Sequence, residues 1–126
     1  SKSPLGPFKK EMKPCFSTGL DALPVEDPYL WTQDGKVYAL VKCRRGFFGN
    51  GNEISIKLFE MKKDSEWVLS AAPVVLGQSI EWESGKTEKF SSVERPQIYF
   101  ENGKMVALCV AVVTKNNMFN VQIPLK

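Results

Sequence analysis

Two short motifs each place a glutamate two residues before a proline, and they hold the carboxylates best suited to acid–base chemistry in this chain. One is Glu26-Asp27-Pro28 and the other is Glu94-Arg95-Pro96. Proline fixes its own φ and favours extended backbone before it, so the motifs predict that Asp27 and Arg95 are held rigidly in extended geometry at strand starts. Carboxylates that converge repel one another, which raises the pKa of one and provides a general acid beside an ionised partner. Cleavage of a glycosidic bond uses such a pair.

Other side chains in or near these motifs are typical of polar ligand binding. Glu26 and Arg95 lie within the motifs, Trp31 offers an aromatic face to a sugar ring, and Lys42 and Arg44 supply hydrogen-bond donors. Each has a structural alternative, because acidic residues before proline also accept backbone hydrogen bonds or pair with a neighbouring base. Alternation along a strand places about half of such aromatics in a core. From residue types alone, the binding and structural interpretations both stay open.

The composition excludes several classes of chemistry. The 126 residues include no histidine, which excludes Ser-His-Asp and Cys-His nucleophilic arrangements and removes the commonest metal ligand. Three cysteines without CxxC spacing argue against a disulfide framework and a zinc site. The net charge of +3 is small and scattered, and no apolar run approaches the roughly 18 residues of a membrane span. We therefore expect no cofactor, no metal, and neither nucleic acid nor a membrane as partner.

The elements that must position the two motifs are β-strands. Asp34-Gly35 and Asn102-Gly103 each lie between two apolar runs and tolerate the positive φ of a tight turn, so each predicts an antiparallel hairpin. The strands of these hairpins are predicted near 29–32 and 36–43, and near 97–101 and 104–113. Further strands are predicted near 53–60, 66–69 and 119–123. No amphipathic helix of useful length is indicated.

The two hairpins repeat one another. A shift of 68 residues aligns Glu26 with Glu94, Pro28 with Pro96 and Gly35 with Gly103, and it continues without a gap to Leu40 and Leu108. A repeat of this length, with a hairpin running into further strands, favours a propeller built from four-stranded antiparallel blades. The alternative is a β-sandwich whose hairpins look alike.

The repeat length divides the chain into a partial all-β propeller domain over residues 1–126. Residues 1–25 are predicted to end a preceding blade, 26–70 to form one blade, 71–93 to cross between blades, and 94–126 to form an incomplete last blade. About two blades cannot close a ring, so exposed strand edges would remain. We expect a part of a longer protein that associates with its missing blades or with another copy.

The whole chain resembles five-bladed propeller glycoside hydrolases, namely the family 43 and family 117-like enzymes of polysaccharide-degrading bacteria. The Asp-Pro and Glu-Arg-Pro motifs are the most specific parts of the likeness, which maps onto the last two to three blades. The matching segments are Ser3-Pro4-Leu5-Gly6-Pro7-Phe8, Glu26-Asp27-Pro28-Tyr29-Leu30-Trp31, Asp34-Gly35-Lys36, Val41-Lys42, Glu94-Arg95-Pro96-Gln97, Asn102-Gly103-Lys104 and Phe119-Asn120-Val121-Gln122-Ile123-Pro124-Leu125-Lys126.

The resemblance implies roles for two residues. Asp27 matches the aspartate that tunes the pKa of the acid. Glu94 matches either the catalytic acid or the Glu-Arg-Pro element of the family 117-like enzymes, and the base belongs to a blade before Ser1. The implied reaction is hydrolysis of plant or algal polysaccharide fragments with inversion, in which this fragment alone is inactive. Family 117 uses a histidine as its acid, and this chain has none. Cys43 also stands where relatives carry an acidic residue after Val-Lys.

Two further interpretations belong to other classes of protein. The first is a non-catalytic propeller that binds a glycan through the same acidic and aromatic groups. The second is a structural piece that docks to a partner chain. Phosphorolysis or glycosyl transfer also stays open, because a fold does not fix a reaction. The resemblance implies a periplasmic or extracellular location, although the chain shows no secretory signal.

Overall fold

The computed structural model describes residues 3–10, 12, 14–16, 25–44, 53–63 and 66–125. Within these ranges the chain forms β-strands and no helix, so the all-β prediction is confirmed for this part. None of the described residues belongs to a helix that could cross a membrane. The strands are β1 (Val25–Gln33), β2 (Lys36–Cys43), β3 (Ser55–Met61), β4 (Trp67–Leu76), β5 (Ser79–Glu81), β6 (Thr87–Lys89), β7 (Ser92–Glu101), β8 (Lys104–Val113) and β9 (Met118–Pro124).

The strands form two antiparallel sheets and a small ribbon. The first sheet has the order β1-β2-β3-β4, the second has the order β7-β8-β9, and β5 pairs with β6 between them. Both predicted hairpins are confirmed by the pairing of β1 with β2 and of β7 with β8. Their turn residues all have positive φ, from 50° to 76°, as a type I′ turn requires.

The repeat extends to the backbone of the two proline motifs. Between Glu26 and Tyr29 two residues of β1 oppose a single residue of β2, and β7 has the same bulge between Glu94 and Gln97. The first residue of each bulge has positive φ, 53° at Asp27 and 51° at Arg95. The predicted extended geometry at these two residues is therefore wrong. A bulge must accommodate an extra residue, and a left-handed residue is one way to turn the strand there.

The second hairpin contains one residue more than the first. Tyr99 pairs with Ala107 and Phe100 with Met105, so Val106 is a second bulge that β2 lacks. The gapless alignment is therefore wrong beyond this point, because pairing makes Cys109, not Leu108, the counterpart of Leu40. By the same rule the counterpart of Lys42 is Ala111.

The two sheets contact each other through opposite faces of their equivalent strands. The face that is buried in the first sheet corresponds to the face that is exposed in the second. In β1, Tyr29 and Trp31 pack against the main core while Leu30 is 51% exposed. In β7, Ile98 packs against that core while Tyr99 is 54% exposed. Ile98 is the counterpart of Leu30, and Tyr99 is the counterpart of Trp31. The second sheet therefore contacts the first with the face opposite to the one that the first sheet uses, so the sheets stack in head-to-tail order. The core between them is apolar, with Leu40 and Ile56 from the first sheet and Leu108, Val110 and Val112 from the second.

The segment between the two sheets closes this core and fixes the entry into β7. Ile80 of β5 and Phe90 after β6 are both buried in it. The buried side chain of Gln78 donates to the carbonyls of Phe90 (3.0 Å) and Ser91 (2.9 Å) and accepts from the N–H of Ile54 (3.3 Å). These bonds satisfy a buried amide and tie β3 to the start of β7. The ribbon lies within the predicted crossing segment, which also includes the end of β4.

A second, smaller core lies on the other face of the first sheet. It contains Val41, Cys43 and Phe59, and Phe16 packs on it with its ring 5.0 Å from that of Phe59. Phe16 of the predicted N-terminal segment therefore covers part of this face, whereas Leu5, Phe8 and Met12 are exposed. Residues 17–24 lie outside the described ranges.

A hydrogen bond from Tyr29 is one of those that join the two sheets, and its removal should be measurable. The hydroxyl of Tyr29 donates to the carbonyl of Ile98 at 3.1 Å. We expect Tyr29→Phe to lower the free energy of unfolding by about 1 kcal/mol, because the half-buried carbonyl loses its partner. Urea denaturation measures this loss.

Tyr38→Phe is the matched control, since its hydroxyl makes no hydrogen bond within the described ranges. It should leave the midpoint nearly unchanged. Equal losses in both variants would show that the Tyr29 bond does not stabilise the interface.

Candidate functional site

The candidate site lies where the two sheets meet, at the bulges of β1 and β7. Glu26 and Lys42 are cross-strand partners in the first sheet, and Glu94 reaches the same point from the second. The core described above brings β7 against β1 and β2, so residues far apart in sequence become neighbours. The site depends on tertiary packing between the sheets.

Lys42 is shared by two glutamates. Its Nζ lies 3.0 Å from Oε2 of Glu26 and 2.7 Å from Oε1 of Glu94. The lysine side chain is only 10% exposed, and a buried ammonium is stable only when it is paired. Arg44 contacts the other oxygen of Glu26, so two cations face two carboxylates. The group, here called the Lys42 cluster, comprises Glu26, Lys42, Arg44 and Glu94.

The charges of this cluster stabilise one another. The hydrogen bond from Lys42 lowers the pKa of Glu94, against the opposing effect of burial. The hydrogen bonds from Arg44 and then Lys42 lower the pKa of Glu26. Burial opposes the charge of Lys42, but its hydrogen bonds with Glu94 and Glu26 outweigh burial and raise its pKa. Both glutamates are therefore ionised at neutral pH.

The carboxylate oxygens of the two glutamates have different surroundings. Both oxygens of Glu26 are taken, one by Arg44 and one by Lys42. In Glu94, Oε1 accepts from both Lys42 and the hydroxyl of Ser92, the latter at 2.8 Å. Its Oε2 makes no hydrogen bond to any described residue. Both carboxylate oxygens of Glu26 are thus engaged, whereas Oε2 of Glu94 can still accept a hydrogen bond from a ligand.

Asp27 lies beside Glu94 across the junction. Its Oδ2 accepts from the backbone N–H of Arg95 at 3.3 Å. A cleft of about 240 Å³ opens here, lined by the residues of both bulges: Asp27, Pro28, Tyr29, Arg95, Pro96 and Gln97. Backbone in the left-handed region is uncommon for residues other than glycine, and such geometry concentrates at functional sites. Both left-handed residues of the bulges, Asp27 and Arg95, line this cleft.

The structure brings together six of the seven residues that the sequence nominates. Glu26, Lys42, Arg44 and Glu94 form the cluster, and Asp27 and Arg95 line the cleft beside it. Trp31 lies elsewhere, packed on the main core and stacked on Tyr38 with ring centroids 5.3 Å apart. Its partner Tyr38 is four residues from Lys42 along β2, about 13 Å at the rise of a strand.

Sequence reasoning missed two residues that position the site. Ser92 holds Oε1 of Glu94, and its place two residues earlier on the same strand was the available signal, since such residues share a face. Gln78 fixes the chain that leads into Ser92 and Glu94. Nothing in the sequence around Gln78 indicates this role, because its partners are backbone carbonyls brought close by the fold.

The arrangement can do two things chemically. An ionised Glu94 with a free oxygen can accept a hydrogen bond from a ligand hydroxyl, and in its protonated form it can donate a proton from that oxygen. Among the described residues no group of three or more cysteines, aspartates or glutamates is placed to hold a metal ion. The lining of the cleft includes two charged residues, Asp27 and Arg95, so a polar ligand there would meet a carboxylate and a guanidinium.

Removing the shared cation should change how stability depends on pH. The pKa values of Glu26 and Glu94 lie below the ordinary 4.5 in the folded state, so these residues stabilise the fold above that pH. Their contribution is lost as the pH falls through the lowered pKa values. In Lys42→Met, Glu94 loses the ammonium that pairs with it while Glu26 keeps Arg44, and we expect roughly 2 kcal/mol less stability at pH 7. Denaturation from pH 7 to pH 3 should show that this difference shrinks below pH 4.5.

Lys36→Met, at the exposed start of β2, is the control that removes a charge without touching the cluster. It should unfold like the unmodified protein across this range. A difference for Lys42→Met that stays constant down to pH 3 would mean that the glutamates are not coupled to Lys42.

Comparisons with known proteins give no function for this site. No protein-family model, no curated protein and no solved structure matches the chain. The Lys42 cluster and the cleft beside it are therefore the observations on which a function rests.

Proposed function

We propose that this chain forms part of a propeller glycoside hydrolase that acts on plant or algal polysaccharide fragments, with Glu94 as its acid. One observation carries the proposal. Equivalent bulges from two sheets set Asp27 beside Glu94, whose Oε2 has no hydrogen-bond partner among the described residues. A cleft lined by Asp27 and by Arg95, the residue after Glu94, opens beside this point.

The propeller part of the proposal is supported by the packing of the sheets. Blades of a propeller are antiparallel sheets of about four strands that follow one another around an axis. Here a four-stranded and a three-stranded sheet repeat the same first hairpin and stack in head-to-tail order. A sandwich related by a two-fold axis would instead bury the same face of both equivalent strands. We place the missing strands and blades in a longer protein.

The proposed reaction is a single displacement. Protonated Glu94 donates its Oε2 proton to the leaving oxygen while the bond between that oxygen and the anomeric carbon breaks. A base from another blade removes a proton from water, whose oxygen bonds to the anomeric carbon from the opposite face. This inverts the configuration, and the two carboxyl groups would stand about 6.5 to 9.5 Å apart.

Lys42 controls the protonation that this reaction needs. With Lys42 in place, Glu94 is ionised and resembles the state that follows proton transfer. Glu26 offers the ammonium a second partner, so Lys42 can remain paired while a sugar approaches Glu94. Desolvation by the sugar would then raise the pKa of Glu94 and favour the acid form.

The lowered pKa of Glu94 also favours a second function, binding of a glycan without cleavage. An ionised carboxylate is a strong acceptor for sugar hydroxyls, and Lys42 holds Glu94 in that form. Polysaccharides meet such a protein outside the cell or in the periplasm, so both functions imply that location.

Substitution of the two carboxylates tests the hydrolase. In the whole protein that carries this chain, Asp27→Asn and Glu94→Gln should each lower kcat by a factor of about 10² to 10⁴ because the proton donor or its neighbour is lost. Release of reducing sugar from a panel of plant and algal polysaccharides measures the rate, and circular dichroism confirms folding. Glu101→Gln, at the exposed end of β7, is the control and should retain full activity.

The pH profile separates hydrolysis from binding. If Glu94 is the acid, Lys42→Met raises its pKa and should move the alkaline limb of kcat/KM to higher pH. If the ionised carboxylate only binds, no sugar is released, and affinity should fall as the pH drops through the pKa of Glu94. Full turnover in Glu94→Gln would remove this residue from the mechanism.

A further inference from the structure

The third strand of the second sheet, β9, lies at an edge of that sheet. Among the described strands it pairs with β8 alone, whereas its counterpart β3 lies between β2 and β4. The N–H of Leu125 points to β8, since it donates to the carbonyl of Val106 at 2.9 Å. Backbone groups of successive residues alternate sides in an antiparallel strand, so those of Asn120 and Gln122 point to the open edge. Such groups can pair with a further strand.

This edge lacks the proline that interrupts the other edges of the two larger sheets. β1, β4 and β7 each contain a proline within the strand, namely Pro28, Pro73 and Pro96. A proline cannot donate to a neighbouring strand, and proteins use prolines and charged side chains to protect an edge from pairing. In β9 the only proline is the last residue, Pro124, and no residue is charged. The edge of β9 is therefore suited to accept a strand.

The first sheet shows which side chains a neighbour of β9 would bring. Ala39 pairs with Phe59, and its counterpart Leu108 pairs with Ile123, so Ile123 corresponds to Phe59. Leu69 of β4 is the cross-strand partner of Phe59 and packs on the second, smaller core. Beside Ile123 no described strand takes that position.

Trp67, two residues before Leu69, lies on the same face of β4. It pairs with Met61, whose counterpart is Leu125, and its ring lies 5.1 Å from that of Phe16. Large apolar side chains at alternate positions of the fourth strand thus cover the core of the first sheet. In the second sheet Leu125 is 39% exposed and Phe119 is 40% exposed, so apolar groups at the edge of β9 remain uncovered.

A cavity of about 710 Å³ adjoins the edge where this strand would lie. Its lining from β9 includes Val121 and Ile123, which face the main core, and Gln122 and Pro124, which face the other way. A cavity that touches both sides of an edge strand passes along the open edge. On the core side it is lined by Trp82, which is partly buried against the main core. The space beside Trp82 can therefore hold apolar side chains of a fourth strand.

The described strands argue against a second copy as the source of this fourth strand. Each of them already pairs in a sheet, and β4 of a second copy would meet β9 with Pro73 in the middle of its open edge. A proline there leaves one hydrogen bond between the strands unmade. A segment of the longer protein outside these strands has no such restriction.

We propose that the open edge of β9 binds a fourth strand from another segment of the longer protein. The strand runs antiparallel to β9 and places large apolar side chains at alternate positions, beside Ile123 and Leu125. Glu81 and Glu83 line the same cavity, so a lysine or arginine of the strand can pair with them there. The proposal rests on the propeller part of the proposed function and not on hydrolysis. A neighbouring blade can still cover the outward face of the second sheet, because the strand occupies its edge.

Hydrogen exchange in the presence of a strand-forming peptide tests this directly. The chain is titrated with a synthetic peptide that has the sequence of Trp67–Ala71 with a lysine at each end, and nuclear magnetic resonance follows exchange of the backbone amides. We expect saturable binding that slows exchange of the N–H groups of Asn120 and Gln122 by roughly tenfold or more, because they become hydrogen-bonded to the peptide. The N–H groups of Val121 and Ile123 point to β8 and should change less. If the peptide does not bind, the proposal is overturned.

A proline at the edge separates strand pairing from binding in an apolar pocket. Gln122→Pro removes one outward N–H and should weaken peptide binding by roughly tenfold, while the hydrogen bonds of β9 with β8 stay intact. Gln122→Ala keeps this N–H, so it is the matched control and should bind like the unmodified chain. Equal binding by both variants would overturn strand pairing.

N-methylated peptides give the same test without a change in the protein. Ile123 bonds to β8, so a leucine opposite it turns its N–H away from β9, and the flanking residues turn theirs toward β9. N-methylation at the residues that correspond to Val68 and Ser70 should therefore abolish binding. N-methylation at those that correspond to Leu69 and Ala71 should be tolerated. Tolerance of both modified peptides would overturn the proposal.

The source of the strand is tested in the whole protein that carries this chain. There the edge should already be occupied, so Asn120 and Gln122 should be protected and the peptide should not bind. Equal binding to the whole protein and to the chain alone would overturn the assignment to the same protein. Protection that rises only with the concentration of the chain would overturn it in favour of a second copy. Sugar release by the whole protein is measured separately, so a failure of this proposal is distinguishable from a failure of the proposed hydrolysis.

Discussion

The packing of one face of the first sheet against the opposite face of the second is the constraint on which the other features depend. Equivalent strands present opposite faces to the same core, with Tyr29 and Trp31 inward in β1 and Ile98 inward in β7. Each sheet therefore keeps one face that the interface does not use. The first sheet covers part of its free face with Phe16, whereas the second leaves its free face exposed at Tyr99.

The site follows from this packing because it needs groups from both sheets. Lys42 brings one positive charge to two negative ones, and Arg44 supplies the second, so two cations balance two carboxylates. Either sheet alone would leave an imbalance, since the residue paired with Glu94 in its own sheet is not a lysine. Ala111 stands at the position equivalent to Lys42. Local charge balance thus couples the geometry of the site to the interface between the sheets.

Local sequence preferences predicted the hairpins and the repeat. The features that they did not predict depend on contacts between residues far apart in the sequence. Asp34-Gly35 and Asn102-Gly103 favour the positive φ angles of a type I′ turn, so these residues alone were enough to predict the two turns. The Val106 bulge has no such signature, and it shifts every later equivalence by one residue. The ion pair of Lys42 with Glu94 joins residues 52 positions apart, and only the folded core brings them together. Trp31 looked like a ligand platform because alternation alone does not tell which face will be buried.

The comparison of the two sheets also explains why a repeat yields one site rather than two. Both sheets keep the bulge and its acidic residue, so the scaffold that aims a carboxylate is duplicated. The first copy adds Lys42 and Arg44, which saturate Glu26 and remove it from chemistry. The second copy adds neither, so Glu94 borrows the lysine through one oxygen and leaves the other free. Divergence at the positions of Lys42 and Arg44 thereby separates a carboxylate that is fully paired within its own sheet from one whose Oε2 has no hydrogen-bond partner among the described residues.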